Sequence, residues 1–198
     1  MKNIIIINLV FFCLTSHIVH SQTAINITSI NEQQHYPKAL VDYSDFKNLV
    51  LEIEKERENR LVSLDVFLKM SQEKNTIILD SRSDFRYNRK HLKGAIHLDF
   101  TDFTQENLSK LIPDPNTKIL IYCNNNFNGD QIDFTSKVVL PKKTSENKVN
   151  KNNKPVMLAL NIPTYINLYG YGYKNVYELD ELVNVNDPRI KFEGTEVK

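Results

Sequence analysis

Lys118-Ile119-Leu120-Ile121-Tyr122-Cys123 is an apolar run of strand length, with two isoleucines and a tyrosine, that ends on a cysteine. A strand apolar on both faces has to be covered on both, which is the situation of a central strand in a parallel sheet sandwiched by helices. The residues that follow, Asn124-Asn125-Asn126-Phe127-Asn128-Gly129-Asp130, are rich in turn formers and mark a loop. In open parallel α/β sheets, ligands bind outside the carboxyl ends of the strands. Cys123 therefore stands where a working residue is expected.

Outward from this strand, short apolar runs alternate with helical patterns. Arg60 to Ser63, Thr76 to Asp80, Ala95 to Leu98 and Asn175 to Leu179 read as strands. Ser63 can cap a helix through Leu64, Phe67, Leu68 and Met70, while Asp84 to Lys90 and Asn107 to Leu111 have helical character. Another helix opens near Asn161-Ile162-Pro163, with Asn161 as cap and Pro163 in the first turn, and stops at Gly170 and Gly172. Upstream, Phe46, Leu49, Val50, Ile53 and Leu61 recur at helical spacing, with Ser44 as candidate cap, and predict an amphipathic helix covering the flank. The expected class is α/β: a doubly wound sheet of about five parallel strands with helices on both faces, over residues 61–183.

The flanks carry different signals. Lys2, the apolar run from Ile4 to Leu14 and then Val19-His20-Ser21 predict an export peptide over residues 1–21, so the mature chain is expected in a periplasm or outside the cell, without a membrane anchor. Cys13 goes with that peptide, which leaves Cys123 as the mature thiol and no internal disulfide. Residues 22–60 read as a polar arm followed by the amphipathic helix, 135–157 as a polar insertion, and 184–198 as a loose tail. With 25 Lys and Arg against 24 Asp and Glu, there is no electrostatic case for nucleic acid or an anionic membrane as partner.

The cysteine loop admits two readings. Asn tolerates left-handed backbone angles, so consecutive asparagines let a loop curl until several N–H groups face one point, and such a nest stabilises an anion. That anion is the thiolate of Cys123, or a persulfide or oxyanion attached to it, and oriented N–H groups lower a thiol pKa. The plainer reading is a buried small apolar residue beside an exposed turn, since free cysteine is among the most buried residue types.

Four segments in order resemble the rhodanese family: Asp80-Ser81-Arg82 at a strand end, His91-Leu92-Lys93-Gly94-Ala95-Ile96-His97-Leu98, Ile121-Tyr122-Cys123 opening a loop, and Tyr171-Gly172-Tyr173-Lys174-Asn175-Val176-Tyr177-Glu178-Leu179. The likeness runs from Leu61 to Leu182 with the insertion set aside. It implies a sulfurtransferase in which Cys123 takes a sulfane sulfur from a small donor, becomes a persulfide and passes the sulfur to a thiol or protein acceptor. Asn124, Asn125, Asn126, Phe127, Asn128 and Gly129 match the loop whose amides hold that persulfide. Asp80, Arg82, His91 and Gly94 match positions given structural work: an ion-paired tie between strand and loop, a buried hydrogen-bonded histidine, and a turn with no room for a side chain. No metal or organic cofactor is implied.

The departures bear on the donor. Thiosulfate enzymes of the family commonly carry Arg or Lys near the loop's end, where this chain has Phe127-Asn128-Gly129-Asp130. Repulsion from Asp130 disfavours a doubly charged donor, so thiosulfate is not the expected substrate. The insertion also parts the loop from the helix that normally follows, and Lys90 and Asp180-Glu181 stand where glycines are usual. The rival is a non-catalytic module of the same fold that binds a partner protein through the altered loop and insertion. A phosphatase on this fold needs an arginine closing the loop, where Gly129 and Asp130 stand. A cysteine hydrolase using His91 or His97 as base ranks last, because both belong to segments with structural counterparts in the family.

Overall fold

The side chains of the central strand alternate between two cores. Ile119 and Ile121 enter one and Leu120 and Tyr122 the other, all essentially inaccessible, as the period of two along a strand dictates. The computed structural model describes residues 36–139, 156–157 and 159–197. Asp42–Lys198 is one compact unit. The candidate export peptide, the polar arm up to residue 35 and most of the insertion lie outside the described residues.

The sheet is built from β1 (Leu61–Val62), β2 (Thr76–Asp80), β3 (Ile96–His97), β4 (Lys118–Tyr122) and β5 (Val176–Leu179). Its order is β1-β5-β4-β2-β3 and every pairing is parallel. β4 occupies the centre, flanked by β2 in the register Ile78 to Leu120 and by β5 in the register Val176 to Ile119. On one face pack α1 (Tyr43–Glu58), α4 (Gln105–Leu111) and α5 (Asn161–Gly170), through Ile53, Leu108, Tyr165, Ile166 and Leu168. On the other lie α2 (Leu64–Met70) and α3 (Asp84–Arg89), whose Leu64, Phe67 and Tyr87 meet Leu120, Tyr122 and Leu179.

Local chemistry fixes most helix starts. Ser63 Oγ accepts from Val66 N at 3.4 Å and Thr104 Oγ1 from Asn107 N at 3.1 Å, each satisfying one orphan donor of a first turn. α1 begins one turn earlier than its apolar spacing predicts. Its cap is Asp42, not Ser44, because the Asp42 carboxylate accepts from both Ser44 N and Asp45 N. α5 is capped by Leu160 without a side-chain bond; the amide of Asn161, expected to cap it, is committed elsewhere.

The C-terminal stretch is not the loose tail that its composition predicts. Val183–Asn184 pairs in parallel with Phe127–Asn128, and Phe192–Glu193 pairs antiparallel with His91–Leu92. Ile190 is buried against the second core, and Phe192 packs edge-on to Phe127 with ring centroids 5.5 Å apart. The two short ladders enclose the far end of the cysteine loop. Gly94 also departs from expectation: a side chain there meets nothing within 4 Å, and the glycine is required by its φ of 81°. A side chain at Gly194, in contrast, would collide with the backbone of Arg89, and φ there is 132°.

Candidate active site

Cys123 leaves the carboxyl end of β4, and its thiol is 1% exposed. It also lines a cavity of about 290 Å³, together with Arg82, Arg86, Asp99, Phe100 and Lys137. That volume is roughly ten times the share of one liquid water, so it has room for an organic molecule of modest size. Two backbone amides reach the sulfur: Leu160 N donates to Sγ at 3.3 Å, and Asn124 N donates as well.

The Leu160 contact revises the expected loss of a helix N-terminus. α5 begins directly after Leu160, so the positive end of a ten-residue helix lies against the sulfur although the insertion separates the two in sequence. Even so, burial pushes the Cys123 thiol above its ordinary value of 9.0, and the Leu160 and Asn124 amides and the Arg82 guanidinium only partly oppose it. The depressed thiol pKa expected from the asparagine loop is thus overturned: desolvation outweighs the donors, and the resting sulfur is a thiol.

The loop does not form one continuous cradle. Asn124 to Asn126 make a single 3₁₀ turn. Asn124 Oδ1 accepts from Arg82 Nη1 at 3.3 Å, and Asn125 Oδ1 accepts from Lys137 N at 2.9 Å. Asn126 turns inward, where its Oδ1 accepts from Cys123 N at 2.8 Å and its Nδ2 donates to Leu179 O at 2.6 Å. Phe127, Asn128 and Gly129 are not at the sulfur. Phe127 is a core residue, Asn128 belongs to the ladder with Val183–Asn184, and Gly129 turns the chain at a φ of 88°. The apolar pull of Phe127 and the pairing of Asn128 explain why the curl ends after one turn.

Asp80 and Arg82 sit behind that turn, both buried. Arg82 Nε lies 3.0 Å from each Asp80 oxygen and Nη2 2.7 Å from Oδ2, while the remaining donors reach Lys90 O, Asp133 O and Asn124 Oδ1. The Tyr122 hydroxyl donates to Asp80 Oδ2 and accepts from Leu92 N. Every polar atom of the ion pair is therefore satisfied, the condition on which a buried pair is tolerable. His91 is buried and stacked on Tyr87 at 3.8 Å, with Nδ1 2.7 Å from Tyr87 O and Nε2 3.2 Å from Glu193. His97 stacks on the opposite face of the same ring at 4.3 Å and reaches Asp80 O and Asp84. Neither histidine lines the Cys123 cavity. Among the described residues no group of three or more His, Cys, Asp or Glu side chains is placed to share a metal ion.

The electrostatics of the cavity also differ from expectation. Asp130 does not line it. Its carboxylate receives Asp133 N at 3.0 Å and Lys90 Nζ at 3.0 Å, and these donors hold it below its ordinary value against the effect of burial. The loop's missing cation is replaced from elsewhere: Arg86 comes from α3 and Lys137 from beyond the turn, against one carboxylate, Asp99. Sequence reasoning missed Arg86, Lys137 and Leu160. The basic last turn of α3 was visible in the sequence, but nothing in it marks convergence on Cys123.

Several solved structures resemble the chain. BH2092 from Bacillus halodurans is 14% identical over 76% of this chain and 88% of its own, with a TM-score of 0.44. A Rhodanese_3 like domain from Anabaena sp. is 18% identical over 55% of this chain and 79% of its own, at 0.33. The polysulfide-sulfur transferase homodimer of Wolinella succinogenes is 12% identical over 75% and 97%, at 0.34. No curated protein matches. The family model of the rhodanese-like domain matches residues 63–181, more than half of the chain, and the protein belongs to that family.

Proposed function

We propose that the protein is a rhodanese-type sulfurtransferase that carries sulfane sulfur as a persulfide on Cys123. The observation that carries this reading is the position of Sγ: at the end of the central strand, under two backbone N–H donors, on a cavity flanked by Arg86 and Lys137. Cys123 is the catalytic residue of the proposal. Asn124 and Leu160 supply the amides, Asn125 holds the backbone of Lys137, and Asn126 holds that of Cys123.

The donor that best suits the site is an organic persulfide with an anionic group; repulsion from Asp130 no longer counts against thiosulfate, because Asp130 does not line the cavity. The cavity has room for the organic part, and its cations favour a negative charge. Because the resting sulfur is protonated, the exchange balances without another reactant. The Cys123 sulfur bonds to the outer sulfur of R–S–S⁻, the donor's S–S bond breaks, and the departing R–S⁻ takes the thiol proton as R–SH. The charge then rests on the Cys123 persulfide, where the Leu160 and Asn124 amides and Arg82 attract it. An acceptor thiol removes the outer sulfur by the same exchange in reverse, leaving as its own persulfide anion and giving its proton back to the Cys123 sulfur. Export through residues 1–21 is part of the proposal and is checked by N-terminal sequencing of secreted material.

Incubating the mature protein with a low-molecular-weight persulfide and weighing it intact tests the chemistry. The expected result is the mass of one added sulfur, mapped to Cys123 and absent from Cys123→Ser. Equal behaviour of the two proteins removes the enzymatic reading. A second reading, a non-catalytic module that binds a partner protein, is favoured by the near-complete burial of Sγ. It expects no sulfur uptake and a pull-down partner that is lost on deleting Thr144 to Lys154.

A further inference from the structure

A second cavity, of about 330 Å³, lies on the other side of the 3₁₀ turn: Cys123 and Asn124 line the first, Asn125 and Asn126 this one. Arg57, Asn161, Glu178 and Asp180 contribute its polar lining, and Ile162 and Leu182 its aliphatic part. Nothing in the sulfur chemistry uses it. We propose that this cavity is a binding site for a primary alkylammonium group.

The first support is an unpartnered acceptor. Asn161 is 9% exposed; its Nδ2 donates to Asn126 Oδ1 at 2.9 Å and to Glu178, while its Oδ1 is buried with no hydrogen-bond partner among the described residues. Turning the amide over does not help, because both neighbours of the amino group are acceptors. A buried acceptor left unpaired is costly, and a donor entering the cavity relieves that cost.

The second support is charge. Glu178, Asp180 and Glu181 face one guanidinium, and Arg57 spends Nε and Nη2 on Glu178 Oε2 at 2.8 and 2.6 Å. Glu181 accepts from Leu64 N at 2.8 Å. Asp180 is exposed and has no ion pair among the described residues. The lining therefore offers surplus acceptors and surplus negative charge. An ammonium, with three donors and no acceptor, matches both, whereas a hydroxyl brings one donor and no charge.

The third support is the mouth. Ile162 and Leu182 are 46% and 63% exposed, and aliphatic side chains beside a polar interior accommodate a methylene stem below a charged head. The ligand is thus a straight aliphatic ammonium: the end of a lysine side chain or a short free diamine.

The test uses the full chain, with binding followed by NMR at the Asn161 side-chain amide and the Ile162 and Leu182 methyls. The probes are n-butylammonium, n-butanol, 1,5-diaminopentane and Nα-acetyl-lysine methylamide. Saturable shifts at those three residues with n-butylammonium, and none with n-butanol, are expected. Asp180→Asn, on the surface, should weaken binding about tenfold, the worth of one hydrogen bond to a charged group, without moving Cys123 alkylation, and Asn161→Ala should weaken it as well. Tighter binding of the diamine than of n-butylammonium assigns the site to free diamines, and tighter binding of the lysine amide assigns it to protein lysine. Equal shifts with n-butanol, shifts spread over carboxylates elsewhere, or an Asp180→Asn affinity equal to wild type overturns the proposal. None of these readouts involves sulfur transfer, so its failure and that of the sulfurtransferase reading are separable.

Discussion

Leu160 N donates to Cys123 Sγ at 3.3 Å across 37 positions of sequence, which brings the first turn of α5 to the end of the central strand. Burial nevertheless holds the thiol above its ordinary value of 9.0. Two outcomes follow. Alkylation by iodoacetamide should be slow at neutral pH and rise with a midpoint above 9.0. Since the folded value exceeds the unfolded one, the stability from keeping the thiol neutral is complete below pH 9 and is lost as pH rises through the folded value. Urea midpoints of wild type and Cys123→Ser across that range measure the second effect; a wild-type midpoint that rises with alkalinity relative to the variant contradicts it.

Arg82→Met should be among the most destabilising single changes. It strands the Asp80 carboxylate, which is fully buried, at a cost of about 3–5 kcal/mol. Arg82→Met with Asp80→Leu removes both charges and should recover part of that loss. Chemical denaturation of the three proteins gives the comparison, and a double variant weaker than the single one shows that the pair is not the cause.

Arg86→Gln and Lys137→Gln should each slow sulfur uptake from an anionic persulfide about two- to fivefold, as expected of solvent-screened charges. Uptake from a persulfide whose organic part carries no charge should be slowed less, and the slowing should shrink at high salt. Single-turnover mass spectrometry with the two donors makes the measurement. Loss of uptake from both donors alike would mean that these side chains serve folding.

Gly194→Ala and Gly94→Ala should separate collision from backbone strain. Both positions have positive φ, but only Gly194 faces a backbone, that of Arg89. The change at Gly94 should cost about 1–2 kcal/mol, the penalty of a left-handed conformation, and the change at Gly194 more. Thermal or urea melts rank them; the reverse order refutes the argument.

The parallel sheet was legible because its signal is local. Thr76 to Asp80 and Lys118 to Tyr122 are apolar runs bounded by polar residues, and the strands coincide with them. Ser63 announced its helix by residue type alone. The site was legible only at Cys123, which a strand end and a turn-rich loop mark together. Arg86 and Lys137 reach the cavity from separate elements, and no spacing encodes that meeting. Leu160 contributes an N–H, which any residue except proline carries. The polar composition of the last residues hid their pairing, because Val183, Ile190 and Phe192 are too scattered to form a periodic pattern. Phe127 was misplaced for a related reason: amid asparagines it reads as loop, yet its ring belongs to the second core.

The two short ladders that join Phe127–Asn128 to Val183–Asn184 and His91–Leu92 to Phe192–Glu193 have a consequence for biogenesis. Segments made early are fastened by segments made later. A nascent chain halted before residue 183 lacks the clasp on its thiol-bearing turn, so sulfur loading during translation would meet an unfinished pocket. Maturation of the cysteine site is therefore bound to follow completion of those late residues.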